Sequence, residues 1–160
     1  MQKKVNLYPV AGLPGQEVAA HSAVYTPINY LSDGTVAAGS FAFAGSTSDD
    51  GAAFPIASAK GTGEVIGLVE RTLTGALAST EEGTEIYPSG AELAIARRGD
   101  YYVAATGAAT VGQAVLCDPA TGDVSYGAAG ATNDTGWVVM TAAAAEGDII
   151  VISNRGVSVK

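Results

Sequence analysis

Residues 83–126 read GTEIYPSGAELAIARRGDYYVAATGAATVGQAVLCDPATGDVSY, and this stretch constrains the fold more than any other. Short runs of Val, Ile, Leu, Tyr and Ala alternate with Gly-containing turns roughly every eight to twelve residues. No run is long enough for a stable helix, because nucleating a helix is costly and short segments do not recover that cost. Nothing in the stretch resembles a catalytic constellation. The pattern predicts a meander of β-strands whose product is a shape, which points to a structural or binding role rather than to chemistry.

The same punctuation continues on both sides. AVYTPINYL (23–31) alternates apolar and polar residues but carries Pro27, which confines it to an edge strand or a bulge. Asp33-Gly34 is a turn pair, and Phe41 and Phe43 share one face of the strand that follows. In EVIGLVERTLTGAL, Val65, Gly67 and Val69 oppose Ile66, Leu68 and Glu70, as suits a strand buried on both faces near its middle. Further on, Leu93 and Ile95 point one way with Ala94 and Ala96 opposite. Asp118-Pro119-Ala120-Thr121-Gly122-Asp123 reads as a hairpin loop, with the strand DVSYGA returning from it. After the loop at 128–136 come GWVVMTA and IIVIS as strands, the second entered through Glu146-Gly147-Asp148. RRGDYYVA and AEGDIIVI both place Gly-Asp just before a strand, an echo that a shared turn type explains. About nine to twelve strands joined by short loops predict a single all-β domain, a β-barrel or sandwich, over residues 23–160. Residues 1–22 differ. Pro9, Gly12, Pro14 and Gly15 break any periodicity, predicting an extended N-terminal arm with one short strand at Val5–Tyr8.

Composition narrows the function. The net charge is −8, from 16 acidic against 8 basic side chains, and no basic stripe exists, which argues against nucleic acid as a partner. Cys117 is the only cysteine, so no intrachain disulfide forms, consistent with assembly in a reducing cytoplasm. The two lysines near the N-terminus are followed by no apolar core of leader length, and no window approaches 18 apolar residues. A soluble protein is expected. Much of the apolar content is Ala, so burial gains little per residue and a partner surface is expected to contribute to stability.

The motifs that could carry chemistry each have a plainer explanation. His21 is the only histidine, so there is no zinc ligand set, and its neighbour Ser22 lacks a nucleophile elbow. GTGEVIG (61–67) imitates a dinucleotide-binding loop, yet its glycines precede β-type residues where that loop requires a helix. The carboxylate pairs Asp49-Asp50 and Glu81-Glu82 sit in polar loops, where their acidity stays ordinary and glycosidase chemistry has no support. Asp118 and Asp123 lack the acidic ladder of a calcium loop. Arg98-Gly99-Asp100 is an adhesion tripeptide only by letter, and Asn133-Asp134-Thr135 is a glycosylation acceptor only by letter. No enzyme activity, cofactor or metal is expected.

Several segments, taken in order, resemble the structural cement (head decoration) proteins of tailed bacteriophages. They are VNLYPVAGLPGQEVA, DGTVAAGSFAF, GEVIGLVERTLTGAL and EIYPSGAELAIARRGDYYVAATGAATVGQAVLCDPATGDV, which together cover roughly residues 5–126. The family pattern of an aromatic-bearing strand, a Gly-Phe-Val-x-Arg-like strand, an Ile-Pro-x-Gly turn and a Gly-Asp-aromatic-x-Val strand is similar to Val36–Phe43, Gly67–Arg71, Ile86–Gly90 and Gly99–Val103. One departure is Tyr87, inserted before Pro88. The resemblance implies a homo-oligomer, dimer or trimer, that is assembled in the host cytoplasm. It would bind the outer surface of the mature head and bridge major capsid protein subunits, with no role for nucleic acid or membrane. The arm would supply capsid contacts, with Leu7, Tyr8, Pro9 and Val10 as candidates. The alternative is a virion-surface receptor-binding or fibre-type β module. That role calls for aromatics on exposed loops, whereas Phe41, Phe43, Tyr101 and Tyr102 fall inside expected strands.

Overall fold

Gly99 divides the chain into two sheets. The computed structural model describes residues 12–18, 23–47, 54–72 and 85–155, and these contain twelve strands and no helix. Before Gly99 come β1 (Val24–Tyr25), β2 (Tyr30–Ser32), β3 (Phe41–Thr47), β4 (Pro55–Ser58), β5 (Val65–Val69), β6 (Glu92–Leu93) and β7 (Ile95–Arg98). They form one sheet in the order β1-β7-β5-β3-β4-β2-β6. After Gly99 come β8 (Asp100–Ala104), β9 (Ala114–Cys117), β10 (Val124–Gly127), β11 (Asp134–Val139) and β12 (Ile149–Ser153), ordered β10-β9-β11-β12-β8 in a second sheet. All pairings are antiparallel except β2 with β4. Of the two architectures the strand pattern allowed, the protein adopts the sandwich.

The first sheet curls strongly. β6 is its last strand and β7 its second, yet only Ala94 separates them in sequence. No ladder joins β6 to β7, so the sheet is not a closed barrel. Curling leaves a second apolar layer on its far side. Between the sheets, Phe41, Phe43 and Leu68 pack against Tyr101, Val115, Trp137, Val139, Ile150 and Ile152. Trp137 stands edge-on to Phe41 and Tyr101, with ring centroids 6.3 and 6.0 Å apart, a favoured aromatic geometry. On the far side, Val36, Ala42, Val69, Tyr87, Leu93 and Ile95 form the second cluster. β3 and β5 are therefore buried on both faces, as the alternation in β5 predicts. Gly67 makes this possible: any Cβ there would run into the Ala96 carbonyl on β7.

Local expectations fare well where the signal is a breaker residue. Pro27 splits the 23–31 run into β1 and β2, and β1 lies at a sheet edge. The 118–123 loop closes with the Asp118 amide donating to the Asp123 carbonyl at 2.9 Å and the Gly122 amide to the Asp118 carbonyl at 2.7 Å. The two Gly-Asp echoes precede β8 and β12, which pair with each other from Ile149 opposite Ala104 to Ser153 opposite Asp100. β11 begins at Asp134, earlier than the expected Gly136, because Gly136 (φ 76°) sits in an irregularity of the β9 ladder and the strand continues through it.

Residues 12–18 run along β8. The Gly15 amide donates to the Tyr102 carbonyl at 2.8 Å, the Tyr102 amide to the Gln16 carbonyl at 2.9 Å, and the Val18 amide to the Asp100 carbonyl at 2.9 Å. The other flank of this segment meets the first sheet. The Arg71 amide donates to the Gly15 carbonyl at 2.8 Å and its Nε to the Pro14 carbonyl at 2.9 Å, while Glu85 pairs with the guanidinium. One short segment thus stitches the two sheets along their seam. Backbone approaches backbone closely there: a Cβ on Gly15 (φ +80°) would lie 2.7 Å from the Gly39 amide nitrogen. Val5–Tyr8 lies outside the described residues.

Candidate interaction surfaces

Among the described residues no group of three or more His, Cys, Asp or Glu side chains converges on a point that could hold a metal. The Cys117 thiol is buried, and burial, reinforced by Asp118 and Asp123, pushes its pKa up to about 11, so it stays protonated and inert. GTGEVIG leads into β5, a strand, so it cannot present a helix terminus to phosphate. The Asp100 carboxylate pairs with Arg155 and accepts a hydrogen bond from Ser153 Oγ at 2.6 Å, which ties the adhesion-like tripeptide into the sheet crossing. Asp134 accepts from the amides of Gly130 at 2.7 Å and Gly136 at 2.8 Å, a turn-forming role. A cleft of ≈ 520 Å³, with Phe43 and Cys117 in its wall and Glu64 and Asp134 among the other lining residues, gathers no set of nucleophile, base and orienter. His21, Ser22, Asp49-Asp50 and Glu81-Glu82 lie outside the described residues, as do the arm candidates Leu7, Tyr8, Pro9 and Val10.

The most unusual polar grouping lies where 12–18, β1, the end of β5 and β8 converge. Glu70 follows the last residue of β5, its amide bonded to the Ala94 carbonyl at 2.8 Å and its own carbonyl accepting from the Tyr87 hydroxyl at 2.8 Å. Its side chain is thereby directed to the seam. Burial raises the pKa of its carboxyl; the Tyr25 hydroxyl, a donor towards the carboxylate, opposes this, and the Glu17 charge adds to it. The Tyr25 phenol is pushed up to about 12, by burial first and then by Glu70. Behind them Tyr101 is fully buried, its hydroxyl set against that of Tyr25, which in turn faces Glu70. Its phenol too is raised, by burial and then by the Glu70 charge. Glu17 faces Tyr101 across the bridge to β8, and its carboxylate accepts from the Ala23 amide at 2.9 Å. A cleft of ≈ 410 Å³ opens beside this group, with Tyr25, Asn29, Glu70 and Leu93 in its walls. Val24 and Ile28, 54% and 52% exposed, lie close by in sequence on β1 and the β1–β2 link.

Reading the residues alone missed this grouping. Its four members come from four separate stretches of chain, and the only local sign was an acid, Glu70, set in an otherwise apolar alternation. Tyr87, the insertion before Pro88, proves to be core: its ring fills the second cluster, and its hydroxyl also accepts from the Thr72 amide at 3.0 Å.

The comparisons with known proteins agree with the architecture. A chain of "The capsid of Myoviridae Phage XM1" is similar in structure with a TM-score of 0.50 and 15% identity, over 98% of this chain and 95% of that one, which supports the sandwich as a shared fold. No curated protein matches the sequence. The family model described as structural cement protein (E217 gp24/Pam3 gp6) matches residues 1–154, beyond the 5–126 that carried the resemblance. The chain therefore belongs to the phage structural cement protein family and has a capsid-associated structural role.

Proposed function

We propose that this protein decorates the outside of the mature phage head and stabilises it by bridging major capsid protein subunits. The observation that carries the reading is the family match across residues 1–154. The geometry supports it in kind. A two-sheet body with both faces of its central strands buried is stiff, and stiffness is what a clamp across subunit boundaries needs. A shell loaded by packaged DNA can be held by many modest contacts, because symmetry multiplies them into avidity.

On this reading the chain divides into an arm, residues 1–22, and a β body, residues 23–160. The body acts as a homo-oligomer, a dimer or trimer. Leu7, Tyr8, Pro9 and Val10 reach the capsid, where an extended segment can add to an exposed strand edge. Neither catalysis nor a cofactor enters the role. The test is to mix the protein with emptied expanded heads and with immature shells of its phage, and to count copies per particle. Stoichiometric binding to expanded heads with little on immature shells is the expected result. Binding to host cells without binding to heads would instead identify a receptor-binding module.

A further inference from the structure

We propose that residues 156–160 of this chain, Gly-Val-Ser-Val-Lys, dock in the cleft of ≈ 520 Å³ between the starts of β5 and β11, as a continuation of β12. The inference goes beyond head binding and does not depend on it.

Three observations converge. First, β11 is longer than the ladder that β12 offers it. β11 runs over Asp134–Val139, but β12 ends at Ser153, and their pairing consists of Val139 opposite Ile152 and Val138 opposite Ser153. On its other flank β11 pairs with β9 back to Asp134. A chain that keeps the direction of β12 after Ser153 therefore runs back past Trp137, Gly136, Thr135 and Asp134, along a strand edge of the kind that accepts an added segment. Second, the chain is delivered to that place. The Asn154 amide donates to the Gly99 carbonyl at 3.0 Å and its Nδ2 to the Arg97 carbonyl at 3.0 Å, and a Cβ on Gly136 would lie 3.8 Å from the same Nδ2. Arg155 pairs with Asp100, and residues 156–160 lie outside the described residues. Gly136 lines the cleft, which continues along 133–135 on one side and 63–65 on the other. Five extended residues cover about 16 Å, enough to pass that stretch. Third, the segment matches the walls. When extended, it sets Val157 and Val159 on one face and Ser158 and Lys160 on the other. The cleft offers Phe43, Val65 and Pro119 to the first face and the exposed Glu64 to the second.

Asp134 already accepts from the Gly130 and Gly136 amides, so Lys160 is assigned to Glu64. Strand pairing and apolar contact carry the docking, because an exposed ion pair contributes little; the charges set how far the segment reaches. The segment is that of the same copy. Its tether, Asn154-Arg155, stands beside Gly136 in the cleft wall, and so short a tether gives it an effective concentration that a separate copy does not match. Once docked, it straps β5 at the end where the strand begins, opposite the end that residues 12–18 hold through Arg71.

The experiment compares amide hydrogen exchange in the full-length wild type and in the full-length double variant Val157→Asp/Val159→Asp, whose charges should expel the segment. The amides of 63–65 and 133–136 are expected to exchange about tenfold or more faster in the variant, while those of Gly15 and Tyr102, bonded in the other seam, keep their rates. Zero-length carbodiimide coupling of the wild type is expected to join Lys160 to Glu64, and in a mixture of unlabelled and ¹⁵N-labelled protein each joined pair should carry a single label. This coupling decides the matter should the variant fail to fold. Equal exchange in the two proteins overturns the docking. Lys160 joined only to carboxylates away from the cleft, or to none, overturns its place beside Glu64. Pairs that combine the two labels overturn the assignment to the same copy and give the cleft to the segment of a second one.

Discussion

Glu70 is the residue whose environment works most plainly against its charge. Burial raises its carboxyl pKa, and Glu17 raises it further, so the fold favours the protonated form. A carboxyl raised in the folded state stabilises the protein below its unfolded-state pKa, and that contribution is lost as pH rises through the folded value. The Glu70→Gln variant removes that contribution. Thermal melts across the range from pH 4 to 8 should therefore show the variant gaining on wild type as pH rises, with the smallest difference at the acid end. A gap that widens towards low pH would contradict this account. Phe43 acts in the opposite sense, as pure packing. It is 1% exposed between the sheets, and Phe43→Ala should cost about 3–5 kcal/mol in denaturant unfolding, the range for an emptied aromatic position.

Strands here are defined by what they meet on both sides. β5 approaches β7 so closely at Gly67 that a methyl group would strike the Ala96 carbonyl. Gly67→Ala should destabilise by about 1–3 kcal/mol, as overpacking does, and the loss should appear as a lower denaturation midpoint at unchanged slope. The segment 12–18 offers a second test. Gly15→Ala crowds the Gly39 amide, and native-state hydrogen exchange should quicken at the Tyr102 and Arg71 amides, which bond to this segment, while β11 and β12 keep their protection. These elements also mark what the residues alone could tell. Pro27, the 118–123 loop and the two-faced burial of β5 were readable because each is a local device. The partition at Gly99, the curl that brings β6 beside β7 and the seam cluster were not, because strand pairing over long separations leaves no local mark. The C-terminal third carried little of the resemblance for a related reason: Trp137, Ile150 and Ile152 are core by contact, and ordinary apolar residues by spelling.

At the scale of the whole molecule, the net charge of −8 and the proposed arm contacts bear on how the protein would meet a shell. On the proposed role of the arm, protein lacking residues 1–11 should occupy fewer positions per expanded head than wild type, read by counting copies per particle. The order in which the chain is made gives the seam a further meaning. Residues 12–18 leave the ribosome early, but both of their docking partners come later, Arg71 from one sheet and β8 from the other. The segment has nowhere to settle until each half of the sandwich exists. Docking of residues 12–18 therefore marks a chain in which both sheets have formed.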